Sequence, residues 1–133
     1  FFPPGTLSPM HSSGIGKALL AQMEEARFER VLLDHPLTAF TKHTITEPER
    51  LRQEMESIRS QGYAIDQEEK NDGMFCIAAS VFDMHREAVA GISVSGPTSR
   101  ISKRPVEEIA ATVMEAAAQI TRSIGGSAPR VSP

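Results

Sequence analysis

The chain has a single cysteine, Cys76, which excludes an internal disulfide and any zinc site built from several thiolates. No apolar run approaches the ~18–20 residues a bilayer-crossing helix needs, so no membrane span is expected. The opening Phe1-Phe2-Pro3-Pro4-Gly5 has neither a basic stretch nor a long apolar one, so it does not read as a secretory signal. Together with the lone thiol, these absences point to a cytoplasmic setting. Basic clusters are missing as well: 14 lysines and arginines are scattered among 17 acidic residues, for a net charge of −3. A nucleic-acid-binding face gathers its cations, so this chain is not expected to touch DNA itself. An initiator methionine is also absent, and the start reads as cut from something longer.

What remains is an ordinary globular composition. A chain of 133 residues, 40% apolar and 23% charged, can build one hydrophobic core. We expect one domain over residues 1–126 and a disordered tail over residues 127–133. After a short extended piece, Ser12 or Ser13 can cap a helix through residues 16–21. A second helix is expected over residues 24–33, with Phe28, Val31 and Leu32 on one face, followed by a loop over residues 34–45. Thr46-Glu47-Pro48-Glu49 has the form of a capping box with proline in the first turn. Leu51, Met55 and Ile58 then follow at helical spacing, and Gly62 stands where a glycine would end that helix.

Beyond Gly62 the period changes to two, predicting strands over residues 63–69, 74–82 and 87–95, the last two joined by a hairpin. Val106, Ile109, Ala110, Val113, Ala117, Ile120 and Ile124 mark a long amphipathic helix that ends at Gly125-Gly126. Helices, a meander of strands and a final helix suggest an antiparallel sheet with helices packed on it.

If Asp83 pairs with Arg86 around a two-residue turn, Cys76 stands opposite Ser93 and diagonal to Ser95. One thiol and two hydroxyls then share a sheet face, and Gly91 leaves room beside them. They read either as small fillers under a helix or as the wall of a polar cavity. The second reading gains weight because unpartnered buried hydroxyls cost roughly 1–3 kcal/mol each. Asp66, on the neighbouring strand, reads as a solvated charge or as a carboxylate at the rim of that cavity. Glu68 and Glu69 read as solvated.

The segment His11-Ser12-Ser13-Gly14-Ile15-Gly16-Lys17 places a helix start beside two glycines, where free N–H groups favour an anion. Close helix–sheet packing explains the glycines equally well. The spacing is not that of a phosphate-binding loop, and Ala18 stands where that loop has a hydroxyl, so nucleotide hydrolysis is not expected. The four histidines share no metal-ligand spacing and read as solvated or capping residues, with only His11 placed to face a pocket. Met55, Met74 and Met114 read as core or lid packing. No metal and no cofactor are expected.

The motifs Pro9-Met10-His11-Ser12-Ser13-Gly14-Ile15-Gly16-Lys17-Ala18, Gly62-Tyr63-Ala64-Ile65-Asp66, Cys76-Ile77-Ala78-Ala79 and Ile92-Ser93-Val94-Ser95-Gly96-Pro97 occur in order. With them the chain resembles the effector-binding domain of the IclR family of bacterial transcriptional regulators, from about Pro9 to Gly125. The resemblance implies an α+β, GAF-like (profilin-like) antiparallel sheet with helices on its faces, here lacking the first strands. It implies a ligand-sensing domain rather than an enzyme, one whose full-length protein binds DNA through an N-terminal winged helix-turn-helix and assembles as a dimer or tetramer.

For relatives that sense glyoxylate or pyruvate, the family pattern lands as follows. Gly14 and Ile15 hold the ligand carboxylate by their N–H groups, Asp66, Cys76, Ser93 and Ser95 meet its other oxygens, and Met10 and Met74 line the lid. Ser8 and Met74 depart from the apolar residue and leucine of the glyoxylate sensors. The rival readings are an enzyme with Cys76 as nucleophile, for which no histidine is placed to act as base, and a purely structural dimerisation module.

Overall fold

The computed structural model describes residues 10–129. The expected N-terminal extended piece, including Ser8, lies outside the described residues, as do residues 130–133 of the expected tail. At the centre is a strand whose residues alternate between two environments. Phe75, Ile77, Ala79 and Val81 of β2 (Met74–Phe82) are buried in one cluster, while Ala78, between them, is buried in another. A strand turns successive side chains to opposite faces, so this alternation divides the molecule into two layers.

β2 is flanked on one side by β1 (Ala64–Gln67) and on the other by β3 (Ala88–Pro97), in an antiparallel sheet of order β1-β2-β3. The odd-numbered face of β2 is covered by α5 (Val106–Ser123), which buries Ala110, Val113 and Ala117 against it. The opposite face carries α1 (Gly14–Leu20), with α2 (Glu25–Asp34) and α3 (Pro48–Gln61) built around it. Leu20, Phe28, Leu51, Met55 and Ile58 fill that layer together with Ala64 and Ala78 of the sheet. A short helix, α4 (Thr98–Ile101), follows β3 and adds Ile101 to the α5 layer. The expected α+β architecture of helices on an antiparallel sheet is therefore present. No helix among the described residues is long and apolar enough to cross a membrane.

Four local expectations need correction. The hairpin turn is not the expected two-residue type: Asp83 N–H donates to Glu87 O (2.9 Å) and Arg86 N–H to Asp83 O (3.1 Å). The Asp83 carboxylate takes the N–H groups of His85 and Glu87, which holds its pKa below the ordinary value, and Arg86 adopts φ +62°. With a bulge between Val81 and Phe82, the register moves by two, so Cys76 pairs with Ser95, and Ser93 pairs with Ala78. Second, Glu47 is the cap of α3 and makes no side-chain capping bond, so the box expected from Thr46 does not form. Pro48 is the first helical residue, which puts Thr46 one position too early. Third, the buried stripe of α5 runs to Thr121 rather than Ile120 and Ile124, which are 40% and 53% exposed. Thr121 is selected because its Oγ1 accepts the N–H of Phe82, where the bulge leaves that donor outside the ladder (3.1 Å). Fourth, β1 stops at Gln67 because Glu68 turns the chain with φ +57°. Ser127 N–H donates to Asp83 O (3.1 Å), which ties the start of the C-terminal segment to the hairpin.

Candidate functional site

α1 begins where Ser13, in extended conformation, places its Oγ on the N–H of Gly16 (2.9 Å) and its carbonyl on the N–H of Lys17 (2.9 Å). The N–H groups of Gly14 and Ile15 have no acceptor within the helix. Two glycines let this helix start lie flush on the sheet. A β-carbon on Gly14 would stand 2.8 Å from Cys76 Sγ and 3.2 Å from Ala78 Cβ, and one on Gly91 would stand 2.9 Å from Ile15 Cγ2. Gly14→Ala is therefore expected to lift the helix start and cost about 1–3 kcal/mol, an overpacking penalty. Because Cys76 Sγ is the closest contact, adding Cys76→Ala should recover part of the loss in urea unfolding. If Gly14→Ala alone were neutral, this close approach would not be needed.

Where α1 meets the sheet there is a cavity of about 510 Å³. Its wall contains Gly14, Ile15, Asp66, Cys76, Ser93 and Ser95 together with Met10 and Met74, so the structure brings all the sequence candidates to one place. The register accounts for this: Asp66 pairs with Cys76 and Cys76 with Ser95, giving a row across three strands, while Ser93 lies two residues along β3 on the same face. The two-residue correction to the hairpin preserves the face, whereas a one-residue slip would have reversed it.

Asp66 is buried, at 8% exposure, and its Oδ1 accepts the N–H of Glu69 (2.8 Å). Burial pushes its carboxyl up to about 6 from the ordinary 3.8. The Glu69 carboxylate adds to the rise, while the Glu69 N–H and Lys17 oppose it. Of the two readings the sequence leaves open, the carboxylate at the rim is the one observed.

Glu69 is not solvated, contrary to expectation. It is 6% exposed, and its carboxylate meets the fully buried Lys17 ammonium at 2.8 and 3.0 Å. Lys70 and Asn71, not among the sequence candidates, also line the cavity. Their position in the turn after Asp66 is the signal that could have found them. His11 is neither solvated nor part of this cavity. Its Nε2 hydrogen-bonds the Thr38 carbonyl (2.8 Å), and the ring borders a separate apolar cavity of about 420 Å³ beside Leu20 and Phe28.

A larger cavity of about 710 Å³ lies between the end of α3, β2 and α5. Two of its hydroxyls are already engaged, Ser80 Oγ with Ala18 O (3.1 Å) and Thr121 Oγ1 with the N–H of Phe82. Among the described residues, no three His, Cys, Asp or Glu side chains group so as to hold a metal ion.

Comparison with known proteins identifies relatives of this chain. The family model "Bacterial transcriptional regulator IclR C-terminal" matches residues 3–122. The HTH-type transcriptional regulator BhcR of Paracoccus denitrificans is 48% identical over 98% of this chain and 46% of its own length. The transcriptional repressor IclR of Escherichia coli is 44% identical over 93% and 45%. The chain spans about half the length of the curated relatives it matches. Among solved structures, the C-terminal domain of the E. coli regulator KdgR superposes with a TM-score of 0.82 at 37% identity, covering 88% of this chain and 71% of that one. The Thermotoga maritima IclR structure superposes with a TM-score of 0.83 at 35% identity, covering 87% and 47%. These relatives are named as regulators and repressors, and the reading of Cys76 as a nucleophile finds no support among them. The chain belongs to the IclR family of bacterial transcriptional regulators and is the effector-binding domain of one of them.

Proposed function

We propose that the cavity under α1 binds a small carboxylic acid, of the 2-oxo or 2-hydroxy class that includes glyoxylate and pyruvate. The observation that carries this reading is the convergence of Asp66, Cys76, Ser93 and Ser95 with the start of α1 on one cavity. The N–H groups of Gly14 and Ile15, at the positive end of the helix, suit a carboxylate. The two serine hydroxyls can donate to a 2-oxo group, and Asp66 can accept from a 2-hydroxyl or a hydrated aldehyde. Cys76 packs against Gly14 and keeps the floor small, while Met10 and the 39%-exposed Met74 stand at the mouth as lid residues.

The effector acts by binding one state of the regulator better than another. That regulator is a cytoplasmic homo-oligomer with no membrane segment, in which the other half of the length, carrying a winged helix-turn-helix, contacts DNA. Residues 1–126 form the sensing domain and residues 127–133 its tail. No cofactor or metal takes part.

The test is a thermal-shift and calorimetry panel of glyoxylate, pyruvate, glycolate, oxalate, sugar acids and aromatic acids. A true effector at a hundredfold excess over its Kd should add about 2.7 kcal/mol of stability. Cys76→Leu, and Ser93→Ala with Ser95→Ala, should each abolish that gain without unfolding the domain. Unchanged affinity in these variants would remove the site assignment, and no shift with any acid would leave a dimerisation module.

A further inference from the structure

Lys17 has no exposed side-chain surface, and its ammonium makes three ionic contacts: Glu69 Oε1 at 2.8 Å, Glu69 Oε2 at 3.0 Å and Glu54 Oε2 at 2.9 Å. A buried lysine is retained only when its charge is matched in this way. Its location matters. It sits one turn into α1, below the Gly14–Ile15 start, and reaches under the cavity to the turn that follows β1.

That turn has an unfavourable conformation. Glu68 holds φ +57° without being a glycine, a geometry that persists only where the surroundings impose it. Here the restraint comes from both sides. From below, Glu69 Oε2 accepts the N–H of Gln67 (2.9 Å) while Lys17 holds the same carboxylate. From the other side, Thr41 Oγ1 donates to Glu68 O (2.6 Å), and Thr44 Oγ1 donates to Glu69 O. With Glu69 fixed, its backbone N–H points at Asp66 Oδ1 (2.8 Å).

We propose that Lys17 is a positioning residue of the effector site: its ammonium anchors Glu69 beneath the cavity, and the Glu69 backbone in turn holds the Asp66 carboxylate at the cavity wall. Lys17 does not itself line the cavity. It links the helix offered to the ligand carboxylate with the turn offered to the ligand hydroxyl, so the two halves of the site share one buried charge. The proposal rests on reading the cavity as an effector site, and its test separates the two.

Two variants of the chain are needed, because losing one member of a buried ion pair destabilises by leaving the other uncompensated. Lys17→Met removes the cation alone. Lys17→Met with Glu69→Gln removes the cation and its buried partner at nearly constant volume and leaves only Glu54, whose 35%-exposed side chain can reach water. Its urea midpoint should therefore return close to that of the unaltered chain. Glyoxylate affinity, read by calorimetry, should nonetheless stay down by about tenfold or more in the double variant, since the anchor is gone although the fold is restored. Amide hydrogen exchange at Gln67 and Glu69 should quicken by about tenfold in the double variant, with the amides of α5 unaffected.

Recovery of affinity together with stability, and unchanged exchange at Gln67 and Glu69, would reduce Lys17 to a packing role and overturn the proposal. If the unaltered chain binds no glyoxylate, the effector reading fails with that acid. The exchange rates still decide whether Lys17 holds the Asp66 turn.

Discussion

Lys17→Ala is expected to lower the unfolding free energy by about 3–5 kcal/mol, the range seen when one partner of a buried ion pair is removed. The loss comes mainly from what stays behind. Glu69, with a side chain only 8% exposed, loses its cation and cannot turn to water, whereas Glu54, at 35%, can do so in part. Alanine also leaves a void between α1 and the turn after β1. A domain of this size commonly has about 5–15 kcal/mol in total, so the variant should fold at room temperature with little margin.

The contrast within the same molecule is Arg52, which grips Glu29 at 2.8 Å with both side chains about 40% exposed (38% and 41%). Arg52→Ala should cost far less than Lys17→Ala, because water already solvates and screens that pair. Urea denaturation of both variants makes the comparison. Equal losses in the two would mean that burial does not set the value of the Lys17 contacts.

Most of the architecture was legible because it rests on periodicity. Leu51, Met55 and Ile58 at helical spacing are all buried, and Gly62 takes φ +90° where a left-handed residue ends α3. The alternation along β2 likewise marked both faces of the sheet. The hairpin turn could not be read in the same way. Its left-handed position is occupied by Arg86 and not by the glycine or asparagine that normally signals such a turn. The resulting error was two residues, so the polar face kept its membership. The candidate site was legible as a set of small polar residues on that face and through the resemblance that added Asp66.

What could not be read was the charge beneath it. Lys17 and Glu69 are 52 residues apart, and nothing in either one's neighbours marks it as buried. Glu68-Glu69-Lys70 looks like a solvated run, and only the left-handed Glu68 turns Glu69 inward. Long-range pairing of opposite charges has no local period, so it leaves no trace in a sequence pattern.

The same local arrangement predicts an opposite effect at the neighbouring carboxylate. Asp66→Asn is expected to stabilise the domain at neutral pH while weakening effector binding. The folded carboxyl titrates at about 6 against an ordinary 3.8. Between those values the native state binds more protons than the unfolded chain, so the stability of the unaltered domain falls as pH rises through that window. The difference of about two units corresponds to at most about 3 kcal/mol, lost in full above pH 6. Asparagine does not titrate, and its Oδ1 can still accept the Glu69 N–H. The variant's advantage should therefore be near zero at about pH 4 and reach its full size by about pH 7.

An ionised acceptor contributes about 1.5–3 kcal/mol to a hydrogen bond, so affinity for a hydroxyl-bearing or hydrated acid should drop by roughly 10- to 100-fold. Urea unfolding across pH 4.5–7.5, beside calorimetry with glyoxylate, reads both effects. A variant less stable than the parent at pH 7.5, or one that binds glyoxylate equally well, would show that Asp66 is kept for the fold. Gain in one measurement and loss in the other is what a charge held in place for a ligand, at the expense of the empty domain, must produce.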